Sequence, residues 1–106
     1  MGETVRPVRL QLSRRKGFSL QALSRATNGL EAVNVARPSK WGNPFPVDKW
    51  TSASDAVRLY NLMVQRGAYR RQMLSEIAGK NLACFCKLGE PCHADVLLEL
   101  ANRPER

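Results

Sequence analysis

The sequence predicts an α/β fold, a small single domain over residues 1–106 with a mostly parallel three- or four-stranded sheet packed with helices. Three observations lead there. Short runs with β alternation are separated by segments whose apolar residues fall at helical spacing, and parallel neighbours require such long connections. A chain of 106 residues suits one core, which at this size buries roughly two-thirds of the surface its unfolded form exposes. The last apolar run with strand character is followed by a tight turn and an amphipathic helix, the order in which loops at strand ends carry ligand sites.

Taken in order, residues 6–12 (R-P-V-R-L-Q-L) alternate Val8, Leu10 and Leu12 with Arg9 and Gln11, a strand with one wet face that Pro7 opens. S-R-R-K-G breaks it. Residues 19–27 read as a short helix, capped by Ser19 and stopped by Asn28-Gly29, or residues 18–29 read as an ordered loop. A-V-N-V-A at 32–36 is a second strand, ended by Arg37-Pro38. Three prolines and Gly42 in R-P-S-K-W-G-N-P-F-P, residues 37–46, exclude regular structure, while Trp41 and Phe45 demand cover, so the loop is expected to be rigid. A helix then starts at Ser52 or Ser54, with Asp55 in its first turn and Ala56, Leu59, Tyr60 and Met63 as its inward stripe. After Gly67 a second helical piece runs from about residue 70 to 78 and stops at Gly79. Residues 81–86 are a buried strand, 87–91 a turn and 92–102 the last helix.

All three cysteines and the single histidine fall within L-A-C-F-C-K-L-G-E-P-C-H-A-D. Alternation puts Leu82, Cys84 and Cys86 on one strand face. Helical spacing groups His93 with Val96, Leu97 and Leu100, so His93 points inward. Three readings stay open. Cys84, Cys86, Cys92 and His93 form a ligand set of the softness zinc prefers, although C-x-C on a straight strand separates its sulfurs too widely for one tetrahedral ion. Cys92 at a helix N-terminus near Lys87 has the setting of a reactive thiolate, with His93 or Asp95 as proton acceptor. Otherwise Cys84 and Cys86 are small core residues and His93 a hydrogen-bonded core histidine.

In the 37–46 loop, Arg37, Ser39 and Lys40 offer a fork, a hydroxyl and a point charge suited to phosphate, Trp41 a flat face for a base, and Gly42-Asn43 close backbone approach. The opposing reading is structural, with Trp41 and Phe45 as plugs and the cations solvated. Charge is unevenly spread: up to Lys40 there are eight Lys/Arg against Glu3 and Glu31, within a chain of net charge +8. Arg14, Arg15 and Lys16 stand in a stretch with no acid, and such a field attracts phosphate-rich partners. No apolar run approaches the ~20 residues of a membrane span, no secretory h-region is present in M-G-E-T-V-R-P-V-R-L-Q-L, and the odd cysteine count suits a reducing cytoplasm without disulfides.

Three blocks, R-L-Q-L-S-R-R-K-G-F, V-A-R-P-S-K-W-G-N-P-F and G-K-N-L-A-C-F-C…P-C-H-A-D-V-L-L-E-L, follow one another across most of the chain. Together they resemble a family of small domains from phages and bacteria, catalogued as a domain of unknown function and marked by W-G-N-P-F and C-x-C…P-C-H. The resemblance implies a cytoplasmic protein, in the host cytoplasm if phage-encoded, and implies no activity. The residues themselves lead to the expectation of a basic domain that binds a phosphate-bearing ligand, a nucleotide or nucleic acid, through Arg37, Ser39, Lys40, Trp41 and Asn43, with Arg14, Arg15 and Lys16 adding field. Two alternatives accompany it. One is an enzyme of nucleotide or nucleic-acid metabolism with Cys92 as nucleophile and His93 or Asp95 handling protons, and the other is a phage protein that binds a host partner through its basic face.

Overall fold

The elements follow one another as β1 (Arg9–Gln11), α1 (Leu20–Asn28), β2 (Ala32–Asn34), α2 (Ala53–Gln65), α3 (Arg71–Ser75), β3 (Asn81–Cys84) and α4 (His93–Ala101). The structure, a computed structural model, describes residues 5–67 and 71–102. Residue 70, where the second helical piece is expected to begin, lies outside the described residues. The three strands form one parallel sheet in the order β1-β3-β2. Leu10 stands beside Ala83 and Gln11 beside Cys84, while Val33 stands beside Leu82 on the other flank. All four residues of β3 are buried, as a parallel strand covered on both faces requires. No described helix is long and apolar enough to cross a membrane.

Helix α4 packs on β3 and β1 and is flanked by α2 and α3, while α1 lies against β2. Ser52 caps α2 with a reciprocal pair: its side chain accepts from the Asp55 amide and the Asp55 carboxylate accepts from the Ser52 amide. The buried line of α2 is Ala56, Tyr60 and Val64, with Leu59 and Met63 only half-buried. The stripe is therefore rotated from the expected one. The Tyr60 hydroxyl donates to the Trp41 carbonyl at 2.7 Å and its ring meets the His93 ring edge-on at 5.0 Å between centroids, which turns that side of the helix inward.

The ambiguous segment is a helix. Ser19 accepts from the Ala22 amide at its start, and Gly29 takes φ 80° at its end, where its amide donates to the Arg25 carbonyl. What fastens α1 is polar. Asn81, fully buried, donates to Ser24 Oγ at 2.7 Å and to Asn28 Oδ1 at 2.8 Å, and accepts from the Val8 amide and Asn28 Nδ2, both at 2.9 Å. Ser24 passes its own proton to the Leu30 carbonyl, and Gln21 pairs with both backbone groups of Ala32. No described buried side-chain nitrogen or oxygen lacks a partner.

Candidate functional site

The carboxyl ends of β2 and β3 open into the two segments that build the site. Beyond β2 the chain makes two successive turns, Ser39 N–H to Ala36 O and Gly42 N–H to Ser39 O. Ser39 Oγ accepts from the Trp41 amide, Asn43 Oδ1 accepts from the Phe45 amide, and Asn43 Nδ2 donates to the Ala56 carbonyl. Ser39 and Asn43 thus hold the shape of the loop. Trp41 is 4% exposed and belongs to the core, so it presents no face to a base. Lys40 pairs with Glu76 at 2.6 Å. The expected ligand set therefore divides: Arg37 and Asn43 line a cleft of about 340 Å³, whereas Ser39, Lys40 and Trp41 are not in its wall.

The opposite wall comes from the start of α4 and the turn before it. Cys86, Cys92 and His93 line the same cleft as Arg37. The two loops thus face each other, as parallel strands that deliver their ends to one sheet edge demand. Arg14 joins them, its guanidinium carbon 4.0 Å from the centroid of the Phe85 ring. Arg15 and Lys16 line a separate hollow with Gly17, Phe18 and Ser19 in the β1–α1 connection. The basic trio is split between two places.

Strand β3 stops at Cys84 and the chain bends at Phe85 and Cys86. That bend removes the geometric objection to C-x-C, since the sulfurs of Cys84, Cys86 and Cys92 all lie within 4.8 Å of one another. Such a set can hold a metal ion. Arg9, read from alternation as solvent-facing, instead has a side chain 8% exposed and clamps the turn. It donates to the carbonyls of Glu90 at 2.9 Å and Lys87 at 3.0 Å and pairs with Asp95 at 3.1 Å. Asp95 is thereby engaged with Arg9 and is not in the cleft wall.

His93 meets the thiol group at Cys92. Its Nε2 is 2.7 Å from the Val35 carbonyl, an acceptor, so Nε2 carries the proton and the lone pair of the neutral ring is on Nδ1. Nδ1 is 3.9 Å from Cys92 Sγ. The fourfold Cys/His set expected from spacing reduces, among the described residues, to the three cysteines. The hydrogen bond from Cys84, helped by His93, Cys86 and the Ala94 amide and opposed by burial, draws the Cys92 pKa down to about 3. The same bond, with burial, drives Cys84 upward, and burial first of all raises Cys86.

Arg9, Phe45 and Phe85 are the site residues that pattern alone missed. A partial signal existed for Phe85, an aromatic between two cysteines at a strand end; for Arg9, whose partners are 78 to 86 residues away, there was none. A family model for a domain of unknown function matches residues 20–103. No curated protein and no solved structure matches the chain.

Proposed function

Because the chain belongs to the DUF4326 family, whose description as a domain of unknown function carries no activity, we propose a function from the cleft itself: the domain binds a phosphate-bearing small molecule of nucleotide size. One observation carries this reading. Two guanidinium side chains, Arg14 and Arg37, arrive from different segments at the wall of one cleft of about 340 Å³ that Phe45 and Phe85 also line. Forked donors match phosphate oxygens, and aromatic walls suit a base or sugar. The volume falls at the low end of small-molecule pockets, which favours a mononucleotide or a strand end over a duplex. Three thiols in one group are also the donor set zinc favours among common divalent ions, and reduced thiols are in keeping with a cytoplasmic setting.

Calorimetric titration with nucleoside mono-, di- and triphosphates and with inorganic phosphate tests the reading. Arg37→Ala is expected to weaken binding by about tenfold or more, since a charged hydrogen bond contributes roughly 1.5–3 kcal/mol. Gly42→Ala should reproduce that loss with arginine still present. A Cβ at residue 42 would fall 2.5 Å from Arg37 Cγ and 2.9 Å from Arg37 Cα, so Arg37 and its backbone must shift. Arg15→Ala with Lys16→Ala should leave affinity nearly unchanged, as those side chains line the other hollow. Absence of binding by every phosphate compound at millimolar concentration rejects the proposal.

A second reading rests on the pairing of Cys92 with the Nδ1 lone pair of His93, the relation of a thiol nucleophile to its base. It makes the domain an enzyme of nucleotide or nucleic-acid chemistry. The two uses make opposite demands on Cys92, because coordination to zinc draws charge from the sulfur and lowers its nucleophilicity. The metal content of the purified protein decides between them.

A further inference from the structure

We infer that Cys84, Cys86 and Cys92 form a three-thiolate site for a soft divalent ion of the zinc class, with its fourth coordination position open to the cleft, where an oxygen of the bound phosphate compound completes the tetrahedron. The metal site stands on the geometry of the thiols, and its completion by phosphate rests on the ligand-binding reading above.

All three cysteines of the chain converge from two elements, Cys84 and Cys86 from the end of β3 and Cys92 from the cap of α4. Zinc–sulfur bonds of about 2.3 Å in a tetrahedron put sulfurs roughly 3.8 Å apart. The observed limit of 4.8 Å needs only a small inward movement to reach that spacing. The turn that joins the cysteines is held by the guanidinium of Arg9 through two carbonyls, so the spacing is imposed from outside the thiols. Outer-shell support of this kind is what a metal site requires.

The fourth position is open for three reasons. Among the described residues no further His, Cys, Asp or Glu joins the group. His93 Nδ1 is 3.9 Å from Cys92 Sγ but is not within 4.8 Å of all three sulfurs, which leaves His93 a neighbour of the site. Cys86 and Cys92 line the cleft while Cys84 does not, which puts the vacant apex of a tetrahedron built on the three sulfurs on the cleft side. Three thiolates and one divalent cation carry a net charge of −1. Arg9 lies beside that charge at the turn, and Arg14 and Arg37 line the cleft in front of it. An arriving phosphate thus meets cations on both sides, the ion behind and the two arginines around it.

Cobalt(II) loaded onto the full chain provides the test, since its near-ultraviolet charge-transfer intensity reports the number of thiolates and its visible bands report coordination. One cobalt per chain with a three-thiolate intensity is expected, and zinc should displace it. Added azide should shift the visible bands, which probes the open position without the cleft ligand. Inorganic phosphate or a nucleoside monophosphate should shift them too, and Arg37→Ala should weaken that second shift about tenfold while leaving the spectrum of the ligand-free site unchanged. Cys86→Ser, at the half-buried member of the set, should lower metal affinity by about a hundredfold or more without unfolding the domain. Absence of stoichiometric metal overturns the site, and bands indifferent to azide overturn the open position. A response to azide without a response to phosphate overturns the completion by ligand, and calorimetry on the same sample separates that outcome from a failure to bind phosphate at all.

Discussion

Trp41→Ala is expected to lower the stability of the domain by about 3–5 kcal/mol, the range for deleting a large aromatic side chain from a core. The residue is 4% exposed and its carbonyl receives the Tyr60 hydroxyl, so the lost ring leaves a cavity beneath the loop that carries Arg37. For a chain of this size each kcal/mol corresponds to roughly 4–8 °C in melting temperature, so thermal unfolding followed by circular dichroism should shift by well over 10 °C. Trp41→Phe should recover much of the loss by refilling the space. If the ring served as a stacking surface for a base, the pattern would reverse: alanine would spare the melting temperature and abolish nucleotide binding.

Asn81→Ala is expected to cost about 3 kcal/mol through a different cause, because it strips a partner from the buried Ser24 hydroxyl and from part-buried groups of Val8 and Asn28. The Val8 amide, Ser24 Oγ and both ends of the Asn28 amide all address this one side chain. Asn81→Leu, which restores apolar volume and none of the hydrogen bonds, should be no better. Combining Asn81→Ala with Asn28→Ala should cost less than the sum of the two single changes, since each removes part of the same network. Chemical denaturation of the wild type and the four variants checks both points. Additive effects would mean that the two residues act separately.

Periodicity made β3, α2 and α4 legible, because their inward residues are apolar and recur at the spacing of their own element. Helix α1 stayed ambiguous for a physical reason: its deepest residue is Ser24, and what fastens it is a hydrogen bond to Asn81, 57 residues away. Pattern allows Trp41 to be a ligand platform or a plug, and its burial in the core makes it the plug. C-x-C on a straight strand cannot share one ion; the bend after Cys84 brings the sulfurs together. The meeting of Arg37 with Cys92 followed correctly from the rule that parallel strands deliver their ends to one edge. The strand order, which neither pattern nor spacing records, could not be read at all.

That order bears on how the protein is made. β1 and β2 do not touch as sheet neighbours; each hydrogen-bonds only to β3, which is translated after both. A nascent chain halted before Asn81 holds two strands that have no common partner and lacks the cysteines as well, so α1 has no complete sheet to dock on and α2 lacks α4. Folding must wait until the central strand has left the ribosome, and then sheet, turn and thiols assemble within one event. Arrested chains ending before residue 81 should be digested by protease throughout their length, whereas those in which α4 has cleared the exit tunnel should resist as a unit.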